Sequence, residues 1–341
     1  MRYLVTGSSG TVGSSLIQYL LRENSENQIV GIDNNESKLF FQQEYYIDSQ
    51  RISFHLADIR DFSRIEELMR GVDVVFHAAA LKHVVICERS PMDAVQTNIM
   101  GLKNIIAAAR KAGVKKVVFT SSDKAVNPTN VMGTSKLMGE RIVTAANSGR
   151  GRSDTIFTST RFGNILGSNG SVISIFRKQI LLGQPVTLTD SGMTRFVMTV
   201  EEAVRLVVDS ANLAKGGEVF VTKMPAIRIQ DLAHVMIETL APAYGRDPAS
   251  IPVKVIGAKP GEKMYEELLS DEETRRAVEL KKYFVVMPAF RGIYDQIEYE
   301  YLDQLTDKVS LPYNSANQRS MNRDELRAFL QENQLLAPDN V

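Results

Sequence analysis

Short apolar runs alternate with segments of helical spacing through the first half of the chain. The runs are Tyr3-Leu4-Val5, Gln28 to Ile32, Ile52-Ser53-Phe54, Val72 to Phe76, Lys116 to Thr120 and Thr155 to Thr158. Between them, Leu16, Leu20 and Leu21 share one helical face, as do Ile65, Leu68 and Met69, and Leu102, Ile105, Ile106 and Ala109. Strand and helix in alternation, joined by short connectors, imply right-handed crossovers and hence an α/β fold with a parallel, doubly wound sheet. After about residue 165 the elements shorten and are broken by Gly183-Gln184-Pro185, Gly216-Gly217, Met287-Pro288 and Leu311-Pro312. The expected division is therefore a first domain over 1–165 and a smaller α/β region over 166–341. No Ser/Gly-rich linker separates them, and the helical pattern from Val200 to Asn212 is expected to return to the sheet. Near the end, Asn322 with Glu325 three residues on, then Leu326, Phe329 and Leu330, predicts a capped helix.

Composition narrows the classes. With 341 residues, 44% of them hydrophobic, the chain can bury one large core or two moderate ones. Forty basic residues balance forty acidic ones, so no global field draws nucleic acid or an anionic membrane, and phosphate binding must be local. The single Cys87 excludes an internal disulfide, fits a reducing cytosol and has no His/Cys cluster to make it a metal ligand. No metal is expected. The strand-like start Arg2 to Val5 lacks a signal-peptide layout, and the apolar runs fall well short of the ~20 residues of a membrane span, so a cytoplasmic protein is expected.

The first strand runs into Thr6-Gly7-Ser8-Ser9-Gly10-Thr11-Val12-Gly13. Gly7 suits a tight turn, Gly10 lets backbone approach a pyrophosphate, Gly13 allows close helix packing, and the helix start offers free N–H groups. Alone, the pattern could be a simple turn. Its place after the first strand, and Asp33 about 20 residues on at the end of the second strand, make it a dinucleotide site with a carboxylate for ribose hydroxyls. Asp33 repels a 2′-phosphate, and Asn34 and Asn35 follow in place of an Arg, which favours NAD over NADP. Lys38 or Arg60 remains able to reach such a phosphate. Asp58 is placed either to meet the adenine amino group or to cap a helix. Ala78-Ala79-Ala80 reads as a small-residue floor beside the pyrophosphate.

The fifth strand ends at Thr120, so Ser121, Ser122, Asp123 and Lys124 sit at the carboxyl edge of the sheet, where open α/β folds bind ligands. Met132 and Lys136, at i and i+4 on the next helix, share a face. Lys136 is either a solvated helix residue or a ribose-binding, proton-lowering one, and Met132 either packs in the core or lines the nicotinamide pocket. Asp123 and Lys124 are either a surface salt bridge or an acid and base pair.

These segments, with His77 to Val84, Arg161-Phe162-Gly163-Asn164, Gly170-Ser171-Val172, Met193-Thr194-Arg195-Phe196, Gly261-Glu262-Lys263 and Tyr313-Asn314-Ser315, resemble one family over nearly the whole chain. The chain is similar to the extended short-chain dehydrogenases/reductases, in particular the UDP-N-acetylglucosamine 4,6-dehydratases of the polysaccharide-biosynthesis (capsule-type) group. The resemblance implies a Rossmann-type fold and a tightly bound NAD or NADP recycled within each turnover. Where many relatives carry a Tyr base, this chain has Met132, whose thioether cannot remove a proton, as in a Met-bearing subtype. It also departs in having Ser122 for Thr and Asn34 for Arg.

The family likeness implies oxidation at C4 of the sugar, elimination of water across C5 and C6, and hydride return to C6. Lys124 would take the C5 proton and Asp123 protonate the departing C6 hydroxyl, while the O4 proton would leave through Asp123, Lys124, Ser122 or water. Ser9, Thr11, Val12, Ile59, Asn98, Lys82 and Lys136 would join the cofactor contacts. The UDP-sugar would meet Lys82, His83, Asn164, Ser171, Val172, Thr189, Arg195, Glu262 and Lys263, with Arg195 the better phosphate grip because a guanidinium is planar. His83 is otherwise a satisfied structural histidine, and Glu262 an orienting group. Rival readings are a C4 epimerase, against which Asp123-Lys124 argues, and a silent dinucleotide-binding protein. A homo-oligomer, dimer or higher, is expected, with 291–313 as a lid or cross-subunit element.

Overall fold

The computed structural model describes residues 1–148, 154–168, 170–257, 260–290, 294 and 297–337. The chain divides into two compact units, the first comprising 1–162, 203–223 and 269–312, and the second 163–202, 224–268 and 313–341.

The first unit is built on a ten-stranded sheet. Strands β1 (Arg2–Thr6), β2 (Gln28–Asp33), β3 (Ile52–Leu56), β4 (Val74–His77), β5 (Lys116–Ser122) and β6 (Ile156–Phe162) are parallel, in the spatial order β3-β2-β1-β4-β5-β6. The order reverses direction between β1 and β4, which opens a crevice at the carboxyl ends of those strands. Near-continuous burial of β4 and β5 matches strands covered on both faces. On one face Leu4, Val30, Val75, Val117 and Phe119 pack against Ile65, Leu102, Ile105 and Ala109. Helix Thr11–Glu23 buries Leu16, Ile17 and Leu20, so Ile17 fills the place expected of Leu21, which is only half-buried.

The first unit is not confined to the residues before 165. Val219–Thr222 pairs in parallel with β6, and Tyr283–Val286, Ala277–Leu280 and Gln304–Thr306 extend the sheet antiparallel beyond it. Helix Val200–Leu213 buries Leu206 against Phe220, Val285 and Tyr301 in the same unit. Backbone pairing, which composition does not reveal, assigns these later segments to the first unit.

Of the segment 291–313, expected as a lid or cross-subunit element, residues 291–293 and 295–296 lie outside the described residues. Tyr299 donates to Gly216 O at 2.6 Å, Tyr301 to Glu218 Oε1 at 3.2 Å, and Gln304–Thr306 is a sheet strand. Buried hydroxyls and strand pairing hold this stretch within the first unit.

The second unit packs Ile173, Phe176 and Ile180 against Leu232, Met236, Leu240, Leu326 and Leu330. A three-stranded sheet joins Ala226–Arg228, Thr194–Met198 and Asn164–Ile165. Helix Arg323–Glu332 starts with the expected capping box of Asn322 and Glu325.

Phe220 is fully buried and meets Tyr301 edge-on with ring centroids 6.2 Å apart. Phe220→Ala should cost about 3–5 kcal/mol in urea unfolding. A loss under about 1 kcal/mol would show that the late strands are not packed as the fold requires.

Candidate active site

The glycine-rich turn of the first unit is closed by contact. Gly7 has φ +67, and a Cβ there would lie 2.8 Å from Ala79 N; one on Gly13 would lie 2.2 Å from Gly7 O. Both positions therefore exclude a side chain. Gly10 is the N-cap of helix Thr11–Glu23 and no side chain caps it, which leaves the first-turn N–H groups of Thr11, Val12 and Gly13 for a ligand. Asp33 is held by Ser9 N at 3.0 Å and Asn35 N at 3.0 Å, one to each carboxylate oxygen. This cradle fits the pyrophosphate and ribose of a dinucleotide.

Its neighbours are fixed in the same way. Arg60 forks onto Asp58 at 2.9 and 2.7 Å and holds that carboxyl below its usual range, while Asn34 lies 3.5 Å from Asp58 Oδ2. The capping alternative for Asp58 fails because Asp61 caps helix Phe62–Leu68. The side chain of Ile59 belongs to the core. In the alanine run, Thr6 Oγ1 accepts from Ala79 N at 3.1 Å and lies 2.7 Å from Nδ1 of buried His77. Burial, then the charge of Lys136, push His77 down to about 3, so the imidazole is neutral.

A π-helix, Val95–Gly101, carries Asn98 into the interior. Its amide accepts from Leu81 N at 2.8 Å and donates to Leu81 O at 3.0 Å and to Ser135 Oγ at 2.9 Å, and Ser135 Oγ donates to Met132 O at 2.7 Å. Asn98 thus clamps the loop before Lys82 and His83 to the helix that carries Met132. Both Lys82 and His83 are exposed.

At the end of β5, Ser122 Oγ donates to Asp123 Oδ1 at 2.6 Å, and Lys124 Nζ lies 3.2 and 3.0 Å from the two Asp123 oxygens. The pair is an ion pair, but not a surface one, because the Asp123 side chain is 3% exposed and that of Lys124 32%. A single 3-10 turn, Asp123–Ala125, presents them, and helix Val131–Ala145 presses on that turn: a Cβ on Gly133 would lie 2.2 Å from Lys124 O. Asn130 caps this helix by accepting from Gly133 N. Met132 packs with Cys87 and Ala94.

Lys136 is buried rather than solvated. Its Nζ donates to Thr120 O at 2.8 Å and stands 4.7 Å from the Phe119 ring centre. Burial lowers it to about 8, opposed by the charge of Glu140. Glu140 accepts from Ser121 Oγ at 2.6 Å and from Arg161 at 3.0 and 2.6 Å, and Arg161 reaches Glu273 with two further bonds of 3.0 Å. Sequence reasoning missed Glu140, although it continues the four-residue spacing of Met132 and Lys136. Nothing local points to Glu273.

In the second unit Asn164 and Arg195 meet at Glu266. Asn164 Nδ2 donates to both Glu266 oxygens at 2.8 Å and to Phe196 O at 3.0 Å. Arg195 lies 3.3 Å from Glu266 and 3.5 Å from Glu262, which also accepts from Thr189 at 3.3 Å. Lys263 pairs with Glu267 at 3.3 Å. Ser315 Oγ joins Thr194 at 2.9 Å and accepts from Glu266 N at 2.9 Å. Ser171 precedes helix Val172–Leu181 without capping it, and its hydroxyl is buried without a partner. Glu262 orients Arg195 and Thr189, and Glu266, missed from the sequence, is the hub.

A family model described as polysaccharide biosynthesis protein matches residues 3–288. The chain belongs to that family. Relatives within reach of the polysaccharide-biosynthesis family include an inverting UDP-N-acetylglucosamine 4,6-dehydratase of Campylobacter jejuni, 36% identical over 84% of this chain and 83% of that protein. A UDP-glucose 4-epimerase of Rickettsia canadensis is 35% identical over 96% of this chain and 94% of its own. The X-ray structure of Pen from Bacillus thuringiensis is 41% identical, covers 98% of both chains and superposes with a TM-score of 0.91. The family resemblance and the Rossmann-type fold class are thereby shown. Among the described residues no helix is long and apolar enough to cross a membrane, and no group of three acidic, His or Cys side chains could hold a metal.

The buried Lys136 gives stability a sign with pH. Below pH about 8 folded and unfolded chains both hold its proton and the cost of burying the charge is fully present. Between about 8 and 10.5 only the unfolded chain holds it, so stability rises with pH through that window. Urea unfolding at pH 7 and pH 10 should show that Lys136→Met lacks a gain of about 3 kcal/mol present in the parent. Equal gains in both proteins would count against a charged, buried Lys136.

Proposed function

We propose that the protein is a UDP-N-acetylglucosamine 4,6-dehydratase, or acts on a close UDP-HexNAc, and forms a UDP-2-acetamido-2,6-dideoxy-4-hexulose. The observation that carries this reading is the Asp123–Lys124 pair, part-buried at the carboxyl end of β5 beside the glycine-rich turn's sheet edge. An epimerase needs no acid for a C6 hydroxyl. Family membership and the Campylobacter relative support the same class.

NAD is the favoured dinucleotide, because Asp33 sits where a 2′-phosphate would meet a carboxylate and Arg60 is engaged by Asp58. Bound in the cradle, it would supply the hydride acceptor for C4 and the donor for C6. The chain's own residues handle protons. Once a proton has shifted within the ion pair from Lys124 Nζ to Asp123, the neutral Lys124 amine removes the C5 proton, which the C4 ketone acidifies, and the protonated Asp123 gives its proton to the C6 oxygen as it leaves as water, which restores the ion pair. Ser122, bonded to Asp123 at 2.6 Å, offers a path for the O4 proton, a role Met132 lacks. Return of a proton to either face of C5 decides inversion.

Lys136 contacts ribose, with Asp33, Asp58 and Ala78 to Ala80 along the dinucleotide. Lys82 and His83 are assigned to the sugar. Arg195, Lys263, Asn164, Thr189 and the Ser171-Val172 helix start are assigned to the uridine diphosphate. A phosphate at Arg195 would replace the longer Glu262 contact of 3.5 Å before the Glu266 contact of 3.3 Å.

Proton NMR of the purified protein with UDP-N-acetylglucosamine in deuterated water, without added cofactor, tests this. A C6 methyl signal, deuterium at C5 and loss of one water are expected, and Lys124→Ala should slow methyl formation by about 100-fold or more. A galacto-configured product with its C6 hydroxymethyl intact would instead establish the epimerase reading that the rickettsial relative suggests.

A further inference from the structure

Met132, Lys136 and Glu140 recur every four residues on one face of helix Val131–Ala145, and all three are buried. Met132 is accounted for by packing and Lys136 by its contact with Thr120 O. Glu140 remains. Burying a carboxylate costs several kcal/mol that an apolar residue of similar volume would not. Its partners lie next to the reactive pair: Ser121, which it holds at 2.6 Å, precedes Ser122 and Asp123, and Arg161 stands opposite Ser121 in the β5–β6 register.

We propose that Glu140 is a positioning residue for the Asp123–Lys124 site: it clamps Ser121 and Arg161, so fixing the end of β5 against the helix, and supplies the negative charge that faces Lys136. This rests on the dehydratase reading for its kinetic part only. Three groups act on Lys136: Glu140 from its own helix, Cys87 from helix Val84–Arg89 and His77 from β4. Burial raises the Cys87 thiol and lowers the His77 imidazole, which leaves both neutral and Glu140 the anion of the set. Glu140 and Glu273 carry two negative charges, and Arg161 and Lys136 two positive ones. All four sit in the interior at 0–6% exposure.

The test uses the full chain labelled with 13C at lysine Cε, with the Lys136 signal assigned by its loss in Lys136→Arg. Glu140→Gln keeps an oxygen for Ser121 or Arg161 but removes the charge, so the Lys136 titration midpoint should fall by about one pH unit. The kcat profile against pH should move the same way, with KM little changed. Ser121→Ala should lower kcat without moving the midpoint. Should Glu140→Gln fail to fold, Glu140→Asp retains the charge and retracts it, so the midpoint should hold while kcat falls about tenfold or more. A midpoint unmoved by more than roughly 0.3 unit in Glu140→Gln, or full kcat in Glu140→Asp, overturns the proposal. A parent protein that titrates as expected yet leaves every UDP-sugar unchanged would sink the dehydratase reading and leave the charge role of Glu140 standing.

Discussion

Arg161 is fully buried with its guanidinium forked between Glu140 and Glu273, and this contact ties three stretches that are far apart in the chain. Arg161 closes β6, Glu140 lies on the helix after β5, and Glu273 belongs to a segment that returns to the same unit more than a hundred residues later. Desolvating such charges is costly, and one partner removed leaves the others uncompensated. The network therefore tolerates little movement. Glu273 also completes a capping box with Ser270, so the start of one short helix is set by the same carboxylate that fixes β6.

That rigidity bears on the chemistry proposed for Asp123 and Lys124. A side-chain pair on a strand end is as well placed as the strand itself, and β5 has β4 and β6 on either side. Ser122 and the Gly133 backbone contact hold the turn that bears Asp123 and Lys124 from two sides. With those constraints on the loop, the helix face is left to Lys136 and to Met132, which fills space beside Cys87.

In the second unit a different carboxylate organises the site. Glu266 accepts from Asn164, Arg195 and the Phe196 backbone, and its own backbone is paired with Ser315. Three sequence strings that are separate in the chain, Arg161 to Asn164, Met193 to Phe196 and Tyr313 to Ser315, thus meet at one residue. None of those strings contains Glu266.

Local chemistry in the sequence determined the glycine-rich turn, Asp33, the strand end at Ser121 to Lys124, the alternation of strand and helix, and the capped helix at Asn322. Each of these depends on residues within a few positions, where backbone conformation and side-chain type leave few choices. Tertiary structure alone decided that the strand at Val219–Thr222 and the stretch 269–312 complete the first sheet, because strand pairing depends on partners distant in sequence. It placed Met132 and Lys136 in the interior and Asp58 under the fork of Arg60, where the side chains alone are compatible with core or solvent. It also set the buried charge pairs of Glu140, Glu266 and Glu273, since a glutamate in isolation reads as a solvated residue and only a cation brought to it across the fold makes burial affordable.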